Sequence, residues 1–238
     1  MLRRVEQTPG RTQRHGWHDE VNLKYQLLIF DWDGTLADSA AMIVGAMQRA
    51  IVALKLPPRS DESIRELIGL GLSDALARLY PELELPHLYS LLNSYRAQWL
   101  SEGAGEAPLF DGALDAIREL HGAGHHIAIA TGKSRKGLDR SLRHHVELRP
   151  LVLTSRTADE TASKPDPLML KELLVELDVK PEQALMIGDT EYDMAMARAI
   201  GMDGLGVTCG VHEPGRLRQA GATALIEHVG HLPRWLNG

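Results

Sequence analysis

Short, wholly apolar runs alternating with helix-patterned segments constrain this chain more than any other feature. Leu27-Leu28-Ile29-Phe30, Ile127-Ala128-Ile129-Ala130 and Ala184-Leu185-Met186-Ile187 are too short to be helices of their own. Apolar side chains at consecutive positions suit strands buried on both faces. Strands that alternate with helices of ordinary length imply βαβ crossovers and a parallel sheet. The pattern predicts strands at 27–30, 127–130, 151–153, 184–187, 205–208 and 224–226. Between them it predicts helices over 112–121, 134–143, 165–177 and 190–200, with Asp111 capping the first and Gly122 and Gly124 ending it.

The stretch 39–107 breaks that rhythm. It carries helical spacing from about Ala41 to Leu54, then over 61–68, 73–80 and 86–100, with Asp38 or Ser39 as the first cap. Pro57-Pro58, Gly69 with Gly71, Pro81, and Gly103 with Gly105 separate or end these helices, and no strand pattern intervenes. This is a small helical bundle inserted after the first strand. The fold class is therefore α/β, with a parallel-sheet core from 25–38 and 108–238 and a helical insert from 39–107. Residues 1–24 are polar, Arg-containing and aperiodic, and read as a flexible extension. Glu6, Asp19 and Glu20 dilute the acid-poor pattern of a transit peptide.

A formal net charge of -6 argues against a nucleic-acid binder held by phosphate contacts. Cys209 is the single cysteine, so no intramolecular disulfide can form. No apolar stretch approaches the ~20 residues needed to span a bilayer, and cytoplasm is the default location.

The chemistry-bearing residues follow the strands. Asp31 and Asp33 succeed the first, Thr131 and Gly132 succeed 127–130, and Asp189 and Asp193 succeed 184–187, while Lys164-Pro165 directly precedes a helix. Ligands of open parallel sheets bind at strand carboxyl ends. Carboxylates crowded at one edge repel unless a cation joins them, and an oxygen-only donor set with few carboxylates suits Mg²⁺. Thr131, Gly132 and the amides entering the next helix favour a phosphate.

The run Asp31-Trp32-Asp33-Gly34-Thr35-Leu36, then Thr131, then Lys164-Pro165, then Gly188-Asp189 with Asp193, resembles the four ordered motifs of the haloacid dehalogenase superfamily. With a helical insert after the first strand, the likeness is to its subfamily I phosphatases with a C1 cap, the phosphoglycolate-phosphatase-like branch, and it covers about 25–230. The resemblance implies a Rossmann-like three-layer core and a Mg²⁺-dependent phosphatase acting on a small phosphorylated metabolite through an aspartyl phosphate. It makes Asp31 the nucleophile and Asp33 the general acid and base, and has Thr131, Gly132 and Lys164 hold the phosphoryl group. Metal binding falls to Asp31, the Asp33 carbonyl and Asp189, with Asp193 in support. Lys133 matches the family pattern less well, and Ser134 can serve simply as a helix cap.

Other readings are weighed against this one. A calcium loop starting at Asp31 would need an acid at its twelfth position, which is Met42. His125-His126 and His144-His145 lack partners for zinc and read as solvated positions. Arg65, Gly69 and Gly71 resemble a loop that relatives place over the active site, though an exposed arginine beside a glycine turn needs no function. Tyr95 and Trp99 share one helix of the insert, either buried or exposed as a contact, so monomer and homodimer both stand. Gly34, Gly103 and Gly105 lie near the domain crossings and could ease a hinge. A phosphomutase of the β-phosphoglucomutase type shares every motif. A dehalogenase needs no acid at Asp33, a phosphonatase would rely on Lys55 as the one lysine of the insert, and a non-catalytic binding protein would not need the four motifs intact.

Overall fold

A computed structural model describes residues 23–100 and 105–238. The extension expected over 1–24 lies, as far as residue 22, outside the described residues, as does Gly103. Six strands, β1 (Leu27–Phe30), β2 (His126–Thr131), β3 (Thr154–Thr157), β4 (Ala184–Gly188), β5 (Asp203–Val207) and β6 (Ala224–Ile226), form one parallel sheet in the order β3-β2-β1-β4-β5-β6. The strand order reverses between β1 and β4, which makes that boundary the switch point of a doubly wound sheet.

Alternation along the strands sorts the core into two faces. Leu28, Phe30, Ile127, Ile129, Leu185 and Ile187 pack with helices α5 (Ala113–Gly122) and α6 (Arg135–His144) on one side. Leu27, Ile29, Ala128, Ala130 and Met186 pack with α7 (Leu168–Leu177) and α8 (Glu191–Arg198) on the other. β1 is therefore buried at every position. Two further helices, α9 (Pro214–Ala220) and α10 (Leu232–Asn237), follow β5 and β6; sequence periodicity did not single them out.

Numbered ahead of these along the chain, α1 (Ala40–Ala53), α2 (Asp61–Arg65), α3 (Leu72–Leu79) and α4 (Leu85–Leu100) make the inserted unit. It has an apolar core of its own, including Met47, Ile51, Ile68, Leu76, Tyr80 and Leu91.

Several boundaries differ from expectation for local reasons. β3 runs over 154–157 instead of 151–153, and the apolar Leu151 ends a short 3₁₀ turn. Asp111 does not cap α5, whose N-cap is Gly112 in a left-handed conformation. α7 starts at Leu168, beyond both prolines, where Asp166 accepts the Leu168 N–H at 2.9 Å. Neither Asp38 nor Ser39 caps α1 through its side chain. His125 is buried, its Nδ1 lying 2.7 Å from the Tyr25 carbonyl, and is not a solvated loop residue. Among the described residues, no helix is long and apolar enough to cross a membrane.

Polar contacts seat the inserted unit on the sheet's carboxyl edge. The Gly71 N–H donates to Ser163 Oγ at 2.8 Å and Tyr192 Oη donates to the Glu66 carbonyl at 3.0 Å. His212 Nδ1 accepts the Glu191 N–H at 3.0 Å, so its Nε2 carries the proton and donates to the Glu66 carbonyl at 3.2 Å. Arg216 joins Glu66 of the insert to Glu191 of α8. These three side chains are each about one-third exposed or more, so Arg216→Ala should cost about 1 kcal/mol or less. Amide exchange at 66–71 should nevertheless accelerate selectively; exchange indistinguishable from the parent there would show that the bridge does not seat the insert.

Candidate active site

Strand register sets the level of the site. Phe30 pairs with Ile129 on one side and Ile187 on the other, so Asp31 stands level with Ala130 and Gly188, and Thr131 and Asp189 follow one residue further along the neighbouring strands. The Asp31 N–H still donates to the Ile187 carbonyl at 2.9 Å, which fixes its backbone as an extension of β1. Beyond it the chain turns so that the Trp32 carbonyl accepts from Thr35, Leu36 and Ala37. Gly34 takes φ +85 in this turn, and a Cβ there would stand 2.3 Å from Asp189 Oδ2. Only glycine satisfies both demands.

At the centre is a buried ammonium. Lys164 Nζ lies 2.5 Å from Asp31 Oδ1 and 2.6 Å from Asp193 Oδ1, and all three side chains are removed from solvent. Burial alone would lower the lysine's pKa, but the charges of Asp193 and Asp31 outweigh it and the net shift is upward. The lysine is held as a cation. Asp193 reaches it from the first turn of α8, where its Oδ2 accepts Thr190 Oγ1 at 2.6 Å and the Thr190 N–H at 3.2 Å. The same carboxylate thus completes a capping box and pairs the lysine.

One ammonium does not balance the acids around it. Asp31, Asp189 and Asp193 place carboxylate oxygens within 4.8 Å of one another. Asp189 is held by Thr35 Oγ1 and the Val211 N–H, both at 2.9 Å, whereas Asp31 Oδ2 is buried with no hydrogen-bond partner. Burial, reinforced by the Asp193 charge, raises Asp189 to about 7. Burial also lifts Asp31 well above the usual carboxylate range, against the lowering effect of Lys164. A hard cation relieves this excess of negative charge, and an all-oxygen donor set fits one. The cluster can therefore hold a metal ion.

Asp33 stands at the cavity side of these groups. Ser39 Oγ donates to its Oδ1 at 2.7 Å, and Lys133 Nζ lies 2.9 and 3.1 Å from its two oxygens. Ser39, expected as a helix cap, serves this carboxylate instead. Lys133 also lies 5.3 Å from the Trp99 ring, which stacks on Tyr95 with centroids 6.2 Å apart. Thr131 is buried at the end of β2, and Ser134 caps α6 by accepting the Gly137 N–H. That arrangement aims the α6 N-terminus at the same edge.

A cavity of about 580 Å³ opens over these residues, walled by the sheet edge and the inserted unit. Asp31, Asp33, Thr131, Gly132, Gly69 and Gly71 line it, as do Tyr95 and Trp99; Arg65, in the last turn of α2, does not. Asp189, Asp193 and Lys164 are buried next to Asp31 and are not among its lining residues. The pairings of Ser39 and Lys133 with Asp33, and of Thr35 and Val211 with Asp189, were not read from sequence. Lys133 alone carried a signal, through its place in Thr131-Gly132-Lys133-Ser134. His125-His126 and His144-His145 form no metal cluster among the described residues.

A parallel sheet whose switch point gathers a lysine and at least three acids beneath a helical insert defines an enzyme of phosphoryl chemistry. The chain belongs to the haloacid dehalogenase-like hydrolase family, whose sequence profile matches residues 28–207. It is 30% identical to the "Probable phosphatase IndB" of Dickeya dadantii over 84% of this chain and 89% of that protein. It is 28% identical to a phosphoglycolate phosphatase of Rhodospirillum rubrum, over 88% and 90% respectively. Among solved structures, a haloacid dehalogenase-like family hydrolase of Streptococcus pneumoniae superposes with a TM-score of 0.77 at 25% identity, covering 89% of this chain and 98% of that one. The chain is accordingly a haloacid dehalogenase-like hydrolase, similar over most of its length to proteins named as phosphatases.

Gly132 lies where the insert touches the sheet edge. A Cβ there would fall 2.5 Å from both the Gly69 and the Leu70 carbonyl oxygens, which are backbone atoms and cannot rotate aside. Gly132→Ala should therefore push the insert outward and reduce kcat/KM by roughly 10- to 100-fold, with the sheet's far-ultraviolet dichroism intact. Parent-like kcat/KM would mean that this close approach is irrelevant to turnover.

Proposed function

We propose that the protein is a Mg²⁺-dependent phosphatase that hydrolyses small phosphate monoesters through an aspartyl phosphate on Asp31. The observation that carries this reading is the buried, unpartnered Oδ2 of Asp31 at the switch point of the sheet, with Lys164 locked on the other oxygen. Lys164 orients the carboxylate and leaves one oxygen for the reaction. That oxygen bonds to phosphorus as the bond to the leaving oxygen breaks, and Asp33 supplies the proton that the departing alkoxide takes up. Water then attacks the phosphorus, Asp33 accepts its proton, and the acyl–phosphate bond breaks to release inorganic phosphate and restore Asp31.

Thr131 Oγ1, the Gly132 amide and Lys164 would hold the phosphoryl oxygens while this occurs. Asp31, Asp189 and the Asp33 carbonyl would hold Mg²⁺, with Asp193 keeping Lys164 in place. When bound, the ion neutralises phosphoryl charge that would otherwise repel a carboxylate nucleophile. The insert, 39–107, acts as a cap on a core of 25–38 and 108–238, and its closure excludes bulk water and favours small substrates over proteins.

A phosphate-release screen across phosphorylated metabolites, with and without Mg²⁺, tests the reading, and isomer formation in place of phosphate release would make the protein a phosphomutase. Asp31→Asn should reduce turnover by roughly 1000-fold or more while circular dichroism and gel filtration stay unchanged; undiminished turnover would remove Asp31 as nucleophile.

The acid cluster also generates a pH signature. The folded-state pKa of Asp189 is raised from 3.8 to about 7, so its contribution to stability is complete below 3.8 and is lost as pH rises through 7. The ionised carboxylate is the form that would hold Mg²⁺, and binding would offset that loss. The Mg²⁺-induced rise in Tm should be larger at pH 8 than at pH 6, and an equal or smaller rise at pH 8 would exclude these carboxylates as ligands.

A further inference from the structure

The cavity is far larger than a phosphoryl group with a two-carbon tail would fill. About 580 Å³ is the size of pockets that enclose molecules of tens of atoms. Its wall beyond the reacting acids is also chemically uneven. Lys136, Arg140 and Arg143 of α6 all line it, at four- and three-residue spacing, which places them along one helix face. From Lys136 to Arg143 this row runs about 10 Å along the axis. Arg96 of α4 lines the same space from the cap.

Their partners are few. Arg140 pairs with Glu106 at 2.7 Å. Lys136, Arg143 and Arg96 have exposed side chains and, among the described residues, no ion pair or hydrogen bond. Two acids share this part of the wall. Asp159 accepts from the Arg135 N–H at 2.8 Å and from Thr157 Oγ1 at 2.7 Å, and Asp74 occupies the first turn of α3. Leu72, Tyr95 and Trp99 line the same space, and α6, which starts after Ser134 beside the reacting end, carries Arg143 about 13 Å from that start. The space thus joins a phosphoryl site, apolar and aromatic side chains, and a row of cations that leads away from that site along α6.

We propose that the substrate is an elongated phosphomonoester whose apolar middle ends in a second anionic group, a carboxylate or a phosphate, held by Lys136 and Arg143 with Arg96 opposite. This rests on the phosphatase reading and narrows its substrate class. A monoester without the distant anion would leave the basic row idle, and a two-carbon acid would be too short to reach it.

Four probes test this: 2-phosphoglycolate, 8-phosphonooxyoctanoate, the methyl ester of the latter, and 1,8-octanediol bisphosphate. Each is measured as turnover by the full-length protein with Mg²⁺ and, separately, as binding to Asp31→Asn by calorimetry. The eight-carbon acid, the bisphosphate or both should exceed the methyl ester in kcat/KM by at least roughly tenfold, and whichever of the two leads identifies the anion. Lys136→Met combined with Arg143→Met should bring the anion-to-ester ratio to within about twofold, through KM and not kcat.

A ratio near one in the parent, or one that survives the double substitution, overturns the proposal. The calorimetric arm separates the two layers of argument. Anion-selective binding to Asp31→Asn without turnover by the parent would refute the phosphatase and leave the distant anion site standing. Turnover of all four probes without selectivity would refute the distant site alone.

Discussion

The structure depends on one buried cation, the Lys164 ammonium, set between Asp31 and Asp193. Removing charged groups from water costs several kcal/mol per ion unless close partners compensate. Here one ammonium faces two carboxylates directly and a third, Asp189, a few ångströms away. Each member comes from a different segment: the end of β1, the loop before α7, the end of β4 and the first turn of α8. Their convergence is possible because the parallel sheet delivers its strand ends at one height. The remaining negative charge is an unsatisfied requirement built into the fold, and it draws in protons or a cation.

That requirement couples stability to function. Asp193 caps α8 through the same carboxylate that holds Lys164, so the helix start and the lysine's position are fixed together. Gly34, Gly188 and Gly210 bring backbone against Asp189 or Asp193 where any Cβ would collide, at 2.3, 2.3 and 2.1 Å. The acids are therefore packed as tightly as core side chains. A site so confined keeps its donors aimed without reorganisation when charge moves, which is the condition under which electrostatic stabilisation is most effective.

Sequence carried the parts of this fold in which burial is strongest. β1, β2 and β4 are central strands covered on both faces, and their apolar runs announce them within a residue or two. β3 is an edge strand of Thr154-Ser155-Arg156-Thr157, half-buried, with Arg156 paired to Glu172 and Glu176 of α7. Apolarity pointed instead to Leu151-Val152-Leu153 just before it. Asp31 and Asp189 stood out in the sequence because each directly follows an apolar strand, and Lys164 and Asp193 because they complete the same ordered set at or just before helix starts. Ser39 was not, because a serine before a helix is ordinarily its cap and only the folded chain puts Asp33 within its reach. The placement of Tyr95 and Trp99 on the cavity wall likewise depends on how α4 packs, which periodicity leaves open.

The contacts between insert and core differ in kind from those within either. Inside each, apolar side chains interdigitate; between them lie mainly a glycine loop pressed on Gly132 and polar bonds centred on Glu66, with Val211 against the insert's core and Met42 against the sheet's as apolar contacts. Polar contacts at a half-exposed boundary exchange readily with water, so separating the two units costs far less than unfolding either. A catalytic centre under such a boundary can be sealed while a substrate reacts and opened for product release, without disturbing the buried lysine and acids below. In the proposed reading, the chemistry and the lid are thus assigned to different physical interactions, and motion in one need not compromise order in the other.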